Sequence, residues 1–384
     1  MENRLIYDYY IHGHHLEYLH HLYLGALEDK ENNYIFYLPD TFEKEKGKFE
    51  WKPQDNVRIV LSGKEEMCPP SGNYLVRSIK AIKQTYDLCK DMKIQIKKFN
   101  ISSVFLISLF NFLPFLPFVC PRNVRYSGII YGIYFYYWKS STFAKKVYDV
   151  AMYKLMSTSR CISNVYMLND SSSACYLNRK HHTNKYKFLP DPVVPLEQTD
   201  ASHTRERLGI PANDIVFLHL GGMTERKGTL ELLDAIKSAD EKSLNGKSFI
   251  FAGRVTYHID KRFYEILEQI KNKKVFVYDD FLEYNFIAEL CQIADYMIIP
   301  YKHTSQSSGI IGYAAQFHIP VIAPGKNLLG KLIRKYKLGG KYGSLRSHEV
   351  RDVIEAINAT AESNSNYLSI NNVRNFNGII FSGL

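Results

Sequence analysis

The second half of the chain alternates short apolar runs with amphipathic stretches. From Ile215 onward, each of five apolar runs is followed by a segment whose apolar residues recur at helical spacing. In residues 228–238, for example, Leu232, Leu233 and Ile236 share one face of a helix. Apolar strands that alternate with helices predict a parallel sheet covered on both faces. The predicted strands are residues 215–220, 248–252, 275–278, 296–300 and 320–323, and the predicted helices are 228–238, 261–270, 284–293, 309–317 and 328–336.

The first half shows a noisier version of the same alternation. Its predicted strands are residues 5–11, 34–38, 57–61, 103–108 and 165–168, and its predicted helices are 14–27, 74–91 and 134–156. One predicted helix, 74–91, carries an apolar stripe that we expect to face inward, formed by Leu75, Ile79, Ile82, Tyr86 and Cys89. Its other faces carry Arg77, Lys80, Lys83 and Lys90.

A proline-rich, polar segment separates the two halves. Residues 189–192 read Leu-Pro-Asp-Pro, and residues 195–204 are polar, which is typical of a linker. A chain of 384 residues also exceeds the size of one typical core. We therefore predict two doubly wound, Rossmann-like α/β domains, residues 1–195 and 196–384, with a cleft between them. The end of the chain shows no helix that would cross back to the first domain.

Composition and charge limit the classes of partner. With 46% hydrophobic and 23% charged residues, the chain is expected to form globular domains rather than disorder. A net charge of +10 favours an anionic partner, and many of the cations lie in the first half. They form either an ordinary solvated helix face or a patch that meets an anionic membrane surface. No helix-turn-helix, zinc-finger or RNP-like pattern indicates nucleic acid.

Several features predict a cytoplasmic location. The first residues are too polar and too short for an export signal, and the six cysteines are scattered without metal-ligand spacing. Residues 101–119 are apolar enough to consider a membrane span, but Asn111, Pro114 and Pro117 interrupt them. We expect a cytoplasmic protein that is peripheral on the inner face of the cell membrane.

The strongest candidate for ligand binding is the loop from Gly221 to Gly228, which reads GGMTERKG between a strand and a helix. Glycines let the backbone approach a ligand, and the following helix offers free N–H groups to an anion. Lys227 adds a point charge suited to a diphosphate, although a Gly-Gly turn with basic residues is often only a turn.

A second candidate loop precedes the predicted helix 309–317. It consists of Ser305, Gln306, Ser307, Ser308 and Gly309. Hydroxyl residues and glycine at a helix start are capping residues by default, but they also suit an anion site. Because both loops follow strands of one parallel sheet, we expect them to converge on one anion.

The pattern as a whole resembles the retaining glycosyltransferases of family 4, which have the GT-B fold. Three segments carry the resemblance: GGMTERKGTLELLDAI, FIFAGRV and IADYMIIPYKHTSQSSGIIGYAAQFHIPVIAP. In that family a basic pair in the first segment holds the donor diphosphate, and Lys227 matches its lysine. The family's arginine usually follows the first glycine, where this chain has Gly222, and the neighbouring Arg226 is the candidate substitute.

The third segment departs from the family. Its two glutamates, which contact the donor sugar and the ribose, are replaced by Ser305 and Tyr313 when positions are counted back from Pro320. In the second segment Arg254 is placed either near the nucleotide or simply at the surface.

The resemblance implies transfer of a sugar from a nucleoside-diphosphate-sugar donor to a lipid-linked or glycan acceptor, with retention, in cell-surface polysaccharide biosynthesis. No cofactor and no metal are expected, because cations and helix N-termini can stabilise a diphosphate leaving group. Arg226 and Lys227 would carry this catalytic role. The donor site would be formed by Gly221, Gly222, Arg254, Ser305, Gln306, Ser307, Ser308, Gly309 and Tyr313.

The acceptor side is predicted near Gly13 and His14, after the first strand. His14, Glu17 and His21 share a helix face, but the HExxH order of a zinc site is absent.

Two alternatives remain for the function. A catalytically silent nucleotide-sugar-binding subunit would account for the missing glutamates, and a sugar-nucleotide epimerase would need a carboxylate cluster that the sequence does not offer.

Overall fold

The computed structural model describes residues 1–11, 14–52, 54–67, 73–339, 341–342, 347–359, 363 and 365–384. The chain forms two compact units. Unit 1 consists of Met1–Pro192 together with Val373–Leu384, and unit 2 consists of Val193–Asn372. Each unit contains a parallel sheet interleaved with helices, so both domains are Rossmann-like as predicted.

Unit 1 is built on a seven-stranded parallel sheet of order β3-β2-β1-β4-β5-β6-β7. Successive residues of its first strand face opposite sides, since Leu5 and Tyr7 lie in one buried cluster and Ile6 lies in another. The strands are β1 (Asn3–Tyr7), β2 (Asn33–Leu38), β3 (Val57–Leu61), β4 (Ser103–Leu106), β5 (Arg125–Ile130), β6 (Ile162–Leu168) and β7 (Tyr186–Leu189). The main helices are α1 (His15–Glu28), α2 (Tyr74–Lys98), α3 (Phe143–Thr158) and α4 (Ser171–His181).

Unit 2 has a six-stranded parallel sheet in which the strand order reverses between β8 and β11. The order is β10-β9-β8-β11-β12-β13, and the strands are β8 (Ile215–Leu220), β9 (Lys247–Ala252), β10 (Val275–Tyr278), β11 (Tyr296–Ile298), β12 (Val321–Pro324) and β13 (Lys341–Tyr342). The main helices are α5 (Thr229–Ser238), α6 (Asp260–Gln269), α7 (Tyr284–Ile293), α8 (Ile310–Gln316), α9 (Asn327–Lys335) and α10 (Ser347–Ala356).

Two helix predictions for the first half were wrong in detail. The predicted helix 134–156 is broken, because its aromatic start forms the short 3₁₀ turns Tyr134–Tyr136 and Trp138–Ser140 before α3 begins at Phe143. Thr142 caps that start by accepting a hydrogen bond from the Lys145 amide. In α2 the apolar stripe that was expected to face inward is exposed at Ile79, Ile82 and Tyr86, and only Cys89 of its described side chains is buried.

The end of the chain belongs to unit 1 rather than to the second domain, where the sequence placed residues 196–384 in full. A final helix, α11 (Val373–Phe381), packs on α1 and buries Phe376 and Ile380 in the unit 1 core. Asn377 fixes the pairing by donating a 2.8 Å hydrogen bond to the His21 carbonyl. The helix that the sequence failed to reveal is therefore present.

The predicted linker, residues 195–204, makes hydrogen bonds to helices of unit 2. Gln316 exchanges two hydrogen bonds with the Leu196 backbone, and Gln292 makes three with Thr199. Its lack of regular structure reflects its prolines rather than a lack of contacts.

The apolar segment 101–119 forms β4, a 3₁₀ turn and a short helix, Leu116–Val119. None of the helices in the described part of the chain combines the length and the apolar character needed to cross a bilayer.

Candidate functional site

The candidate site lies at the carboxyl edge of the unit 2 sheet, where the strand order reverses. In open parallel sheets the loops on either side of such a reversal line a crevice that binds ligands. Here the two loops are residues 221–228, which follow β8, and residues 299–309, which follow β11. They are the two loops that the sequence analysis selected.

Glycines bring the two loops into backbone contact. Gly228 has a left-handed φ of 70°, and a Cβ atom there would lie 1.8 Å from the Pro300 carbonyl oxygen. The Lys302 amide donates a 3.0 Å hydrogen bond to the Arg226 carbonyl. Gly221, with a φ of 93°, leaves room for the Lys227 amine, which would lie 2.7 Å from a Cβ at that position. Gly228 therefore permits the backbone contact between the loops, and Gly221 leaves room for the Lys227 amine beside it.

Arg226 and Lys227 both lie close to the ring of Tyr301. The Arg226 Cζ and the Lys227 Nζ each lie 5.7 Å from the centre of that ring, within the range of cation–π attraction. Across the described residues, neither cation has a carboxylate within ion-pair distance. Lys302, by contrast, pairs with Glu225 and Glu231 at 3.3 and 2.5 Å. Two cations of this loop pair are thus available to an anion, and the third is neutralised.

Tyr301 also contacts a serine further along its own loop. Its hydroxyl lies 3.0 Å from the Ser308 Oγ, and both residues are buried. On the other side of Lys227, the Ile310 Cδ1 lies 3.3 Å from the position that a Gly221 Cβ would occupy. The Lys227 Nζ and the Ile310 Cδ1 therefore both lie within 3.3 Å of one point beside Gly221.

The remaining residues of the second loop differ in accessibility. Ser305 and Ser307 are half-buried, whereas Gln306 and Gly309 are exposed. Gly309 stands at the start of α8 without a side-chain cap, and that helix extends only from Ile310 to Gln316. Tyr313 is in the second turn of α8, half-buried.

A buried histidine lies beneath the first loop. The Nδ1 of His219 donates to the Ile298 carbonyl at 3.1 Å, and its Nε2 accepts from the Thr229 hydroxyl at 3.0 Å. Burial lowers the pKa of His219 to about 4, against the opposing effect of the Ile298 hydrogen bond and with help from the nearby Lys227 charge. The neutral ring ties β8 to β11 and to α5.

The loop after β9 lies beside the first loop. The Met223 amide donates to the Arg254 carbonyl at 2.8 Å, and a Cβ on Gly222 would only touch that carbonyl at 3.9 Å. Gly253, with a φ of 132°, leaves no room for a Cβ because one would lie 2.6 Å from the Gly221 backbone. The Arg254 side chain is exposed and 3.7 Å from Asp280.

Of the two predicted acceptor-side residues in unit 1, His14 lies at the start of α1. Gly13 is outside the described residues. His14 is exposed, with its ring centre 5.4 Å from Tyr18 and 5.6 Å from Tyr131. Its neighbour His15 is the residue that contacts a carboxylate, because its Nδ1 lies 2.7 Å from the Oδ2 of the buried Asp8.

No family model matches the chain, and no curated protein matches it. Solved structures do. HepE from Anabaena, in complex with UDP and glucose, superposes with a TM-score of 0.68 at 16% identity, covering 100% of this chain and 98% of that one.

The chain has the GT-B fold. WaaG, a glycosyltransferase involved in lipopolysaccharide biosynthesis, gives a TM-score of 0.64 at 12% identity, with 92% and 90% coverage. The UDP-GlcNAc 2-epimerase of Methanocaldococcus jannaschii gives 0.61 at 12% identity, with 100% and 99% coverage. At such identities the likeness concerns the fold, and since a transferase and an epimerase share it, the reaction must be inferred from the site.

Within this GT-B chain, sequence reasoning missed Tyr301 and His15. Tyr301 follows Pro300 at the end of an apolar run, so its position in the loop after β11 was visible although its closeness to two cations was not.

Among the described residues, no group of three or more His, Cys, Asp or Glu is placed to hold a metal ion. His21 and Glu17 approach to 3.7 Å, but the His14 ring faces Tyr18 and Tyr131 instead.

Proposed function

We propose that the protein transfers a sugar from a nucleoside-diphosphate-sugar to a glycan or lipid-linked acceptor. The observation that carries this proposal is the pair of unpaired cations, Arg226 and Lys227, at the switch point of the unit 2 sheet. A diphosphate needs this combination of fixed positive charge, backbone N–H groups and small hydroxyl residues.

The donor site in this proposal lies on unit 2. Lys227 and Arg226 bind the diphosphate, and Ser307 and Ser308 offer it hydroxyl groups from the second loop. Gly221 and Gly222 let the backbone approach, while Gln306, Gly309 and Arg254 lie at the exposed margin of the same edge.

The proposed donor nucleotide is UDP. HepE, which shares the whole fold, was solved with UDP and with UDP-glucose. When the bond between the anomeric carbon and the phosphate oxygen breaks, its electron pair stays on the departing diphosphate. Lys227 and Arg226 compensate that charge, so this chemistry needs no metal. The acceptor oxygen forms the new bond on the face of the anomeric carbon that the diphosphate leaves, which gives retention, and its proton passes to a phosphate oxygen of the leaving group.

The acceptor is proposed to be a lipid-linked or glycan substrate of cell-surface polysaccharide assembly, at the inner face of the membrane. The role of WaaG in lipopolysaccharide biosynthesis supports this class of acceptor by analogy. His14 is the proposed contact on the acceptor side.

A catalytically silent donor-binding subunit is the second candidate. It is favoured by Ser305 and Tyr313, which stand where family 4 enzymes have glutamates for the sugar and the ribose. A site without these carboxylates would still bind a diphosphate through Lys227 but would hold the sugar less firmly.

Titration calorimetry with UDP, GDP and TDP and their glucose conjugates tests the proposal, followed by a release assay for free nucleotide. Binding of one nucleotide series with slow hydrolysis of its sugar conjugate supports the transferase. Binding without turnover in the presence of glycan or lipid-linked acceptors supports the silent subunit. A sugar conjugate that is converted to its epimer supports an epimerase, and no binding to any nucleotide would refute the donor site.

A further inference from the structure

We propose that unit 1 docks on an anionic phospholipid bilayer through α2, α3 and the short helix between them. This deepens the proposed function by naming the partner of unit 1. It starts from the apolar stripe of α2 that the sequence placed inside and the structure places outside. The first half of α2, from Asn73 to Asp87, contains no buried residue among the side chains that the structure describes.

Six large apolar side chains form what we call the apolar-basic surface. They are Ile79 (58% exposed), Ile82 (57%), Tyr86 (40%), Phe118 (65%), Phe143 (82%) and Val147 (52%). Exposed apolar groups commonly mark an interaction site when they are numerous and adjoin one another.

These side chains belong to one surface because their carriers share neighbours. The Tyr86 ring contacts Phe115, the residue directly before the helix that carries Phe118, with ring centres 5.4 Å apart. On the other side, the Tyr148 ring of α3 lies 6.2 Å from Phe110, and its hydroxyl is 3.5 Å from the Leu113 carbonyl. The buried sides of α2 and α3 contribute to the same core cluster.

Apart from Lys145 of α3, which pairs with Asp149, the cations of this surface have no carboxylate partner among the described residues. α2 carries seven Lys or Arg against two Asp. Among the described residues, the five cations Arg77, Lys80, Lys83, Lys90 and Lys146 make no ion pair. Two of them instead lie over aromatic rings, Lys90 over Tyr86 at 5.4 Å and Lys146 over Trp138 at 5.3 Å. The stems of such lysines can lie along apolar surface while their amines reach phosphate groups.

A bilayer fits this combination better than the other macromolecules that could cover it. A nucleic acid would satisfy the cations but would leave Ile79 and Ile82 in water. In a two-fold dimer the surface would meet itself, so unpaired lysines would face unpaired lysines. An anionic bilayer offers an apolar boundary for the aliphatic side chains, a headgroup layer for the aromatic residues and negative charge for the amines.

Flotation of the full chain with vesicles tests the proposal. Vesicles of phosphatidylcholine with 30% phosphatidylglycerol, about the anionic content of a charged bilayer surface, are compared with pure phosphatidylcholine vesicles. We expect binding to the anionic vesicles that weakens as salt rises, and little binding to the neutral ones. Protein that remains unbound to anionic vesicles at low salt would overturn the proposal.

Two variants distinguish binding through this surface from non-specific binding to vesicles. We expect I79S/I82S to weaken vesicle binding about tenfold or more, because both side chains lose their apolar contact. Leu24→Ser, at an exposed leucine of α1 outside the surface, is the control and should bind like the parent protein. Equal loss in both variants would contradict the assignment. Both positions are exposed, so circular dichroism should show unchanged folding.

A charge comparison gives a second, independent readout. K80Q/K83Q should lower affinity for anionic vesicles and flatten its salt dependence, whereas K237Q/K242Q removes the same charge from unit 2 and should not. If I79S/I82S instead converts a dimer to a monomer in gel filtration while vesicle binding persists, the surface is a subunit interface and the proposal fails. Calorimetric binding of UDP, measured on the same variants, reports separately on the donor site.

Discussion

The carboxyl edges of the two sheets share an architecture but differ in how their charged residues are paired. In unit 1 the residues that follow β1, β6 and β7 include Asp8, Asp170 and Asp191, and all three are buried. Each carboxylate has a hydrogen-bond partner inside the unit. The partners are His15 for Asp8, the Ser173 amide for Asp170 and the Tyr18 hydroxyl for Asp191. In unit 2 the corresponding edge carries Arg226 and Lys227, which have no carboxylate partner among the described residues.

Strand order thus determines where a ligand can bind, while the residues at the strand ends determine which chemical class of ligand binds there. Unit 1 satisfies its acidic groups internally. Unit 2 neutralises Lys302 with two glutamates and leaves the adjacent cations free. Four substitutions, one in unit 1 and three in unit 2, test whether changes in one unit affect stability and ligand binding in that unit alone.

The largest expected effect is on the stability of unit 1. Phe376→Ala empties a fully buried position in its core, which typically lowers the free energy of unfolding by about 3–5 kcal/mol. Urea denaturation measures the loss, and calorimetry should find UDP affinity unchanged at a temperature where the variant is folded. Arg374→Ala, at an exposed site of the same helix, should change stability by less than about 0.5 kcal/mol.

The contact between the two loops of unit 2 depends on Gly228. Gly228→Ala should lower the free energy of unfolding by about 3 kcal/mol, because it combines a strained φ with a clash on the Pro300 carbonyl. Gly246→Ala is a matched control with a φ of 72° and nothing within 4 Å of the added Cβ, so only backbone strain of about 1 kcal/mol is expected. Equal losses in the two variants would mean that the loop contact is absent.

Acid should destabilise unit 2 through His219. The folded pKa is about 4, below the ordinary value of 6.5, so between these values the unfolded chain binds a proton that the folded chain does not. The linked loss of stability begins as pH falls below about 6.5 and reaches about 3 kcal/mol near pH 4. The free energy of unfolding, measured by urea denaturation at pH values from 7 to 4, should therefore fall more steeply with decreasing pH for the parent protein than for His219→Gln. Identical slopes would show that His219 is not the group responsible.

The smallest expected effect is on donor affinity. Lys227→Ala should weaken UDP binding by about 1.5–3 kcal/mol, the range for a hydrogen bond to a charged group. Lys237→Ala removes an exposed lysine from the far end of the following helix and should leave affinity unchanged. Calorimetry on both variants compares them directly, and an unchanged affinity for Lys227→Ala would remove that residue from the site.

Sequence pattern sufficed for unit 2 because its strands are apolar throughout and its helices have clear faces. The bounds of β8, β10 and α7 agree with the prediction to the residue. The two candidate loops also lie side by side, since both follow strands at the reversal. What the pattern lacked was β13, a two-residue edge strand with little apolar content.

Unit 1 was harder because tertiary contacts override local preference there. The stripe on α2 has the spacing of a buried face, yet nothing in a helical period tells a core from a docking surface. Helix α11 contains Asn375, Asn377 and Gly378, which disfavour helix in isolation, and it is held by its packing against α1. The dyad of His15 and Asp8 joins residues on either side of a turn, so spacing alone did not reveal it.

The return of α11 to unit 1 has a consequence for synthesis of the protein. Unit 2 is an insertion between Pro192 and Val373, so it can be completed while the core of unit 1 still lacks Phe376 and Ile380. During translation unit 1 is therefore begun first and completed last, because its core gains Phe376 and Ile380 only after residues 193–372 have been made.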